Sequence, residues 1–170
     1  MDWLLKTAVG AFGGTALLIA GQAYYPGSGQ ASSSVQAPNF DFEYDVATET
    51  EKTNYLNGLG DYFVTGMKKK HKSNVLSFEG VSTEEREIYL TLSLDELLKG
   101  KDIPDSLVFS PEFGTLMEKQ FLLGFAQKCD EKRISKFFEL DLSMVIDVQM
   151  SGQTVTDLEL SKSVCAETIG

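Results

Sequence analysis

Two cysteines, a single histidine and a surplus of carboxylates are the side chains of this 170-residue chain whose chemistry reaches beyond packing. Cys129 and Cys165 lack the C-x-x-C spacing of a redox catalyst. They read as a structural staple: the second helix ends at Cys129, and the hairpin that follows returns the chain to Cys165. Closing that loop of about 37 residues stabilises by about 3–4 kcal/mol in the chain-entropy picture. This pairing requires an oxidising compartment, and in the cytoplasm the same residues would be two thiols. His71 lies in the run Lys68, Lys69, Lys70, His71, Lys72 with no second ligand or acid near it in sequence, so it is read neither as a catalytic base nor as a metal ligand. The run itself suits a helix C-terminus, where cations oppose the dipole; contact with headgroups or an acidic partner is the alternative.

The carboxylates carry no motif. Asp41, Glu43 and Asp45 alternate with Phe40, Phe42, Tyr44 and Val46, which places the acids on one face of an expected strand. A straight strand lacks the turns and glycine that wrap ligands around calcium, so the acids are read as solvated. Glu84-Glu85, Asp95-Glu96 and Asp130-Glu131 fall at turns and helix ends. The H-E-x-x-H, G-x-S-x-G, P-loop and dinucleotide signatures are absent. The expectation is a protein that is not an enzyme and holds no cofactor or metal.

The elements that position these residues follow from periodicity. Thr48 and Glu51 form a capping box. Tyr55, Leu56, Leu59, Tyr62, Phe63 and Met67 make one helical stripe, with Gly58, Gly60 and Gly66 as places for close packing on a sheet. Val75–Phe78 and Glu87–Leu94 read as a hairpin across a polar turn at 80–85, with Ile88, Leu90, Leu92 and Leu94 inward. Residues 95–110 read as a connection with a helical turn. Ser110-Pro111 caps a second helix carrying Phe113, Leu116, Met117, Phe121, Gly124 and Phe125. Leu140–Met150 and Thr156–Leu160 form a second hairpin about Ser151-Gly152. The predicted fold class is α+β: a two-layer domain over 39–170 of β-αββ-αββ order with antiparallel hairpins, resembling an internal duplication in pattern only. Whether the hairpins join in one sheet does not follow from sequence.

Ahead of this domain, Trp3–Tyr25 is an apolar run interrupted only by Lys6. From Trp3 to Tyr24 a helix rises about 31 Å, which matches the hydrocarbon thickness of a bilayer. Trp3, Tyr24 and Tyr25 suit the two membrane interfaces, and Lys6 can snorkel to the headgroups. Residues 1–25 are therefore predicted to be a single-pass transmembrane anchor. Gly21-Gln22-Ala23 has the form of a signal-peptide cleavage site, so a cleaved signal and a secreted domain are the alternative. Gly10 and Gly14 form G-x-x-x-G, a spacing that lets membrane helices approach closely. Pro26–Pro38, rich in Gly and Ser, is a flexible linker with a reach of about 20 Å.

Asp2 and Lys6 cancel, so the whole net charge of −10 lies on residues 37–170. Such a surface repels nucleic acid and anionic lipid. With Lys6 on the near side of the span, the positive-inside tendency exports the acidic domain, to the periplasm if the cell is bacterial. The sequence thus predicts a non-catalytic, membrane-anchored accessory or assembly subunit. Its N-terminal helix would dock on a membrane protein complex or another copy of the chain, and its extracytoplasmic domain would make protein–protein contacts. An exported binding domain for a small apolar ligand or peptide, with a pocket lined by Tyr55, Tyr62, Phe113, Phe121 and Phe125, is the alternative.

Overall fold

A computed structural model describes residues 39, 41–71, 75–126 and 132–168. Helix α1 spans Glu49–His71, strands β1 and β2 span Leu76–Ser82 and Glu87–Ser93, and short helices α2 (Leu94–Leu98) and α3 (Asp105–Val108) follow. Then come α4 (Pro111–Ala126), α5 (Lys132–Glu139), β3 (Ser143–Met150), β4 (Gln153–Leu160) and α6 (Lys162–Thr168). The result is an α+β domain around one four-stranded sheet of order β1-β2-β3-β4.

Both predicted helix starts form as their residues dictate. The Thr48 N–H donates to Glu51 Oε2 at 2.8 Å and the Glu51 N–H to Thr48 Oγ1 at 3.3 Å, which closes the capping box. Ser110 Oγ accepts from the Phe113 N–H at 3.2 Å, with Pro111 at the first helical position. Hydrogen bonding to Thr48, first its backbone and then its side chain, holds the Glu51 carboxyl below its ordinary value. That lowered value gives the cap a pH dependence. A depressed carboxyl contributes fully above its unfolded value of about 4.3 and loses that contribution as pH falls through the folded value. Glu51→Ala is therefore expected to melt below wild type at neutral pH, with the gap narrowing on acidification. Melting curves of both proteins across the acid range check this; a gap independent of pH would contradict it.

Both hairpins are antiparallel. The second turns at Ser151 and Gly152, which both take positive φ (53° and 74°), as a two-residue hairpin loop requires. The hairpins meet through β2 and β3, which run parallel from Glu87↔Ser143 to Ser93↔Gln149. A parallel pair needs a long crossover, and α2 to α5 supply it. Ile88, Leu90 and Leu92 of β2, Met144, Ile146 and Val148 of β3, and Leu158 and Leu160 of β4 all point to one face and are buried. On that face lie Leu56, Leu59 and Phe63 of α1 and Phe113, Met117 and Phe121 of α4.

Several expectations need correction. Of the strand predicted over Phe40–Val46, Phe40 lies outside the described residues and 41–46 form a folded strap ending in a 3-10 turn at Tyr44–Val46 instead. Asn39 starts a turn by accepting from the Asp41 N–H through its side chain and from the Phe42 N–H through its carbonyl, which offers the backbone local partners in place of a ladder. Phe42 and Tyr44 still turn inward. Phe42 stacks on Tyr55 with ring centroids 4.2 Å apart, and Tyr44 is buried beneath the Arg86 guanidinium, 4.8 Å from its ring. Val46 is 78% exposed, so the alternation fails at its end. The three acids share no face with one role: Asp45 pairs with Arg86, Asp41 lies 3.8 Å from Lys136 Nζ, and Glu43 is exposed.

Helices α5 and α6 were not anticipated. The first is only eight residues long, yet it contributes Phe137 and Phe138 to the core. Strand β1 runs through Ser82, past a bulge between Phe78 and Gly80, where the sequence suggested a turn. Leu94, expected to end β2, opens α2 while keeping its side chain buried.

Candidate functional site

Among the sequence-predicted site residues, Cys165 is the one that can be placed. It lies in α6, half-buried against the core, and is disulfide-bonded. Its expected partner Cys129 lies outside the described residues, as do Trp3, Lys6, Gly10, Gly14, Tyr24 and Tyr25. Among the described residues no helix is long and apolar enough to cross a membrane. Phe113 and Phe121, expected to line an apolar pocket, are core residues with 0% and 2% exposure. Tyr55 has a buried hydroxyl without a hydrogen-bond partner, and burial pushes its pKa up to about 12.

The sheet supplies a different site. Strand side chains alternate between faces, and all the strand residues named above in the core point to the helices. The other face bears Ser77, Glu79, Glu87, Tyr89, Thr91, Val145, Asp147, Asp157 and Glu159, each exposed or half-buried. Register fixes the rows on that face. Ser77 lies beside Thr91, Thr91 beside Asp147, and Asp147 beside Asp157; Tyr89 lies beside Val145, and Val145 beside Glu159.

At the centre is an open depression of about 490 Å³, lined by Glu79, Tyr89, Thr91, Val145, Asp147 and Gln149. Its side chains are held locally. Ser77 Oγ donates to Glu79 at 2.8 Å, and Gln149 Nε2 donates to Asp147 Oδ2. The Tyr89 hydroxyl donates to Glu87 and, at 3.0 Å, to Glu85; these carboxylates, Glu87 foremost, raise its pKa. Asp147 Oδ1 is buried without a hydrogen-bond partner.

Comparison of the chain with protein-family models, with curated proteins and with solved structures finds no match. The site must be judged on its own chemistry. Among the described residues no group of three His, Cys, Asp or Glu is placed to hold a metal ion. The arrangement offers a polar floor with an apolar row at Tyr89 and Val145. The outward polar residues of β2 and β3 were readable from alternation. Their convergence was not, because it depends on the parallel pairing of two strands about fifty residues apart in sequence.

Proposed function

We propose that this chain is a non-catalytic, single-pass membrane-anchored accessory subunit. Residues 1–25 hold it in the bilayer, 26–38 tether it, and the acidic domain on the extracytoplasmic side binds a protein partner on the open face of its sheet. The single observation that carries this reading is that face: four strands covered by helices on one side and, on the other, a polar depression whose lining includes Tyr89 and Val145. Sheets that keep one face on the core commonly leave the other to solvent. The Cys129–Cys165 staple fits the same reading, since a structural disulfide persists outside the cytoplasm. The small-ligand alternative has less support, because Phe113 and Phe121 are spent on the core.

A photoreactive amino acid at Thr91, with a control at the exposed Glu112 on α4, tests the docking face in native membranes. The expected result is a discrete protein adduct from position 91 and none of that mass from position 112. No adduct, or the same products from both, would overturn the reading. A mature chain beginning at Tyr24 and recovered in the soluble fraction would overturn the anchor separately.

A further inference from the structure

The open face has a chemistry of its own. The four strands carry five carboxylates, Glu79, Glu87, Asp147, Asp157 and Glu159, and no Lys, Arg or His. All five lie on the face turned away from the helices, and none forms an ion pair with a described residue. Asp147 and Asp157 are direct cross-strand neighbours, a placement of like charges that costs stability. Next to that pair, in the depression, Asp147 Oδ1 is buried with nothing to satisfy it. Elsewhere some of the domain's carboxylates have cationic partners: Glu49 meets Lys52, Glu139 meets Lys136, and Asp45 meets Arg86. A like-charge pair set directly across two neighbouring strands is the mark of a site where stability has yielded to binding.

Resting on the docking role proposed above, we infer that the occupant of this face is a lysine- and arginine-rich segment of a partner protein, laid across β1–β4 with its apolar residues on Tyr89 and Val145 and its cations on Glu79, Asp147 and Asp157. The dimensions agree. Four strands at about 4.8 Å spacing give a floor about 14 Å wide, which accommodates one helix of about 10–12 Å diameter. Other occupants meet the wrong charge. A second copy placed face to face would oppose five carboxylates to five more, and nucleic acid or anionic lipid would be repelled by the same field.

The test uses the full-length chain in mild detergent and two synthetic amphipathic helices, one of Lys and Leu and one of Glu and Leu. Binding is read by fluorescence anisotropy. Asp147→Asn/Asp157→Asn is compared with Glu112→Gln/Glu118→Gln on α4, which removes the same charge from exposed positions on the other side of the domain. The Lys–Leu helix is expected to bind and the Glu–Leu helix not to. The Asp pair is expected to weaken binding roughly tenfold or more, and the Glu pair by less than about twofold. The Asp147→Asn/Asp157→Asn variant is also expected to melt above wild type, because it removes the like-charge contact while the amide oxygen introduced at position 147 can still accept from Gln149; that readout separates lost docking from lost folding. Equal weakening by both pairs, or no binding of the Lys–Leu helix, overturns the inference. Binding replaced by self-association that Lys68→Gln/Lys69→Gln/Lys70→Gln abolishes overturns it in favour of a second copy. The Thr91 adduct stands apart from these outcomes. If it forms while the peptide fails, the face docks a partner of other chemistry; if it does not form, the docking role itself falls.

Discussion

Phe63→Ala is expected to destabilise the domain by about 3–5 kcal/mol, the range for emptying a buried aromatic site. Phe63 is 1% exposed and is the point where α1 meets α5: its ring packs edge-on against Phe137 at a centroid distance of 6.0 Å. Phe137 in turn packs on Phe138 at 5.5 Å. The void would sit between two helices that both bury aromatic residues in the core, so neither can collapse into it without leaving its own contacts. Against a total stability of about 5–15 kcal/mol for a domain of this kind, the loss is large. Urea unfolding of the variant reads it directly. Val46→Ala, at a side chain 78% exposed, is the matched control and is expected to change little. A Phe63→Ala midpoint close to that of the control would mean that α1 and α5 do not meet at Phe63 as the structure has them.

Gly60→Ala is expected to cost about 1–3 kcal/mol, although alanine is the better helix former. A Cβ at position 60 would come within 2.4 Å of two ring atoms of Phe78 on β1, so the ring or the helix must shift. Gly58, two residues earlier on the same helix, is exposed and would meet nothing within 4 Å. Gly58→Ala is therefore expected to stabilise by about 0.5–1 kcal/mol. The same substitution two residues apart should thus take opposite signs. Phe78→Leu should recover part of the loss at Gly60, giving a non-additive double-mutant cycle. If Gly60→Ala and Gly58→Ala both stabilise, α1 does not approach β1 as closely as described.

These two effects bear on the open face, since they fix how firmly the sheet is held from behind. Gly60 seats α1 against Phe78 of β1, and Phe63 ties α1 to α5. The outward row from Ser77 through Thr91 and Asp147 to Asp157 keeps its geometry only while the inward residues keep theirs. A docking surface built on a backed sheet is rigid by construction, and so little ordering cost remains for binding.

By itself, the sequence determined what is set by neighbours along the chain. Thr48 and Glu51 specify a cap, Ser110-Pro111 another, and Ser151-Gly152 a tight turn, because each acts over a few residues of backbone. Alternation from Glu87 and through Met150 gave the strands and their buried faces, because a half-buried strand must repeat every second residue. Alternation was not enough over 41–46, where Asn39 offered local hydrogen bonds in place of a ladder. Only the tertiary structure decided that β2 lies parallel to β3, that Gly60 is filled by Phe78 while Gly58 is not, and that Asp147 stands beside Asp157. Each of these joins residues far apart in sequence. A strand's hydrogen-bonding edge accepts either direction of partner, and the side-chain pattern constrains the face but not the neighbour.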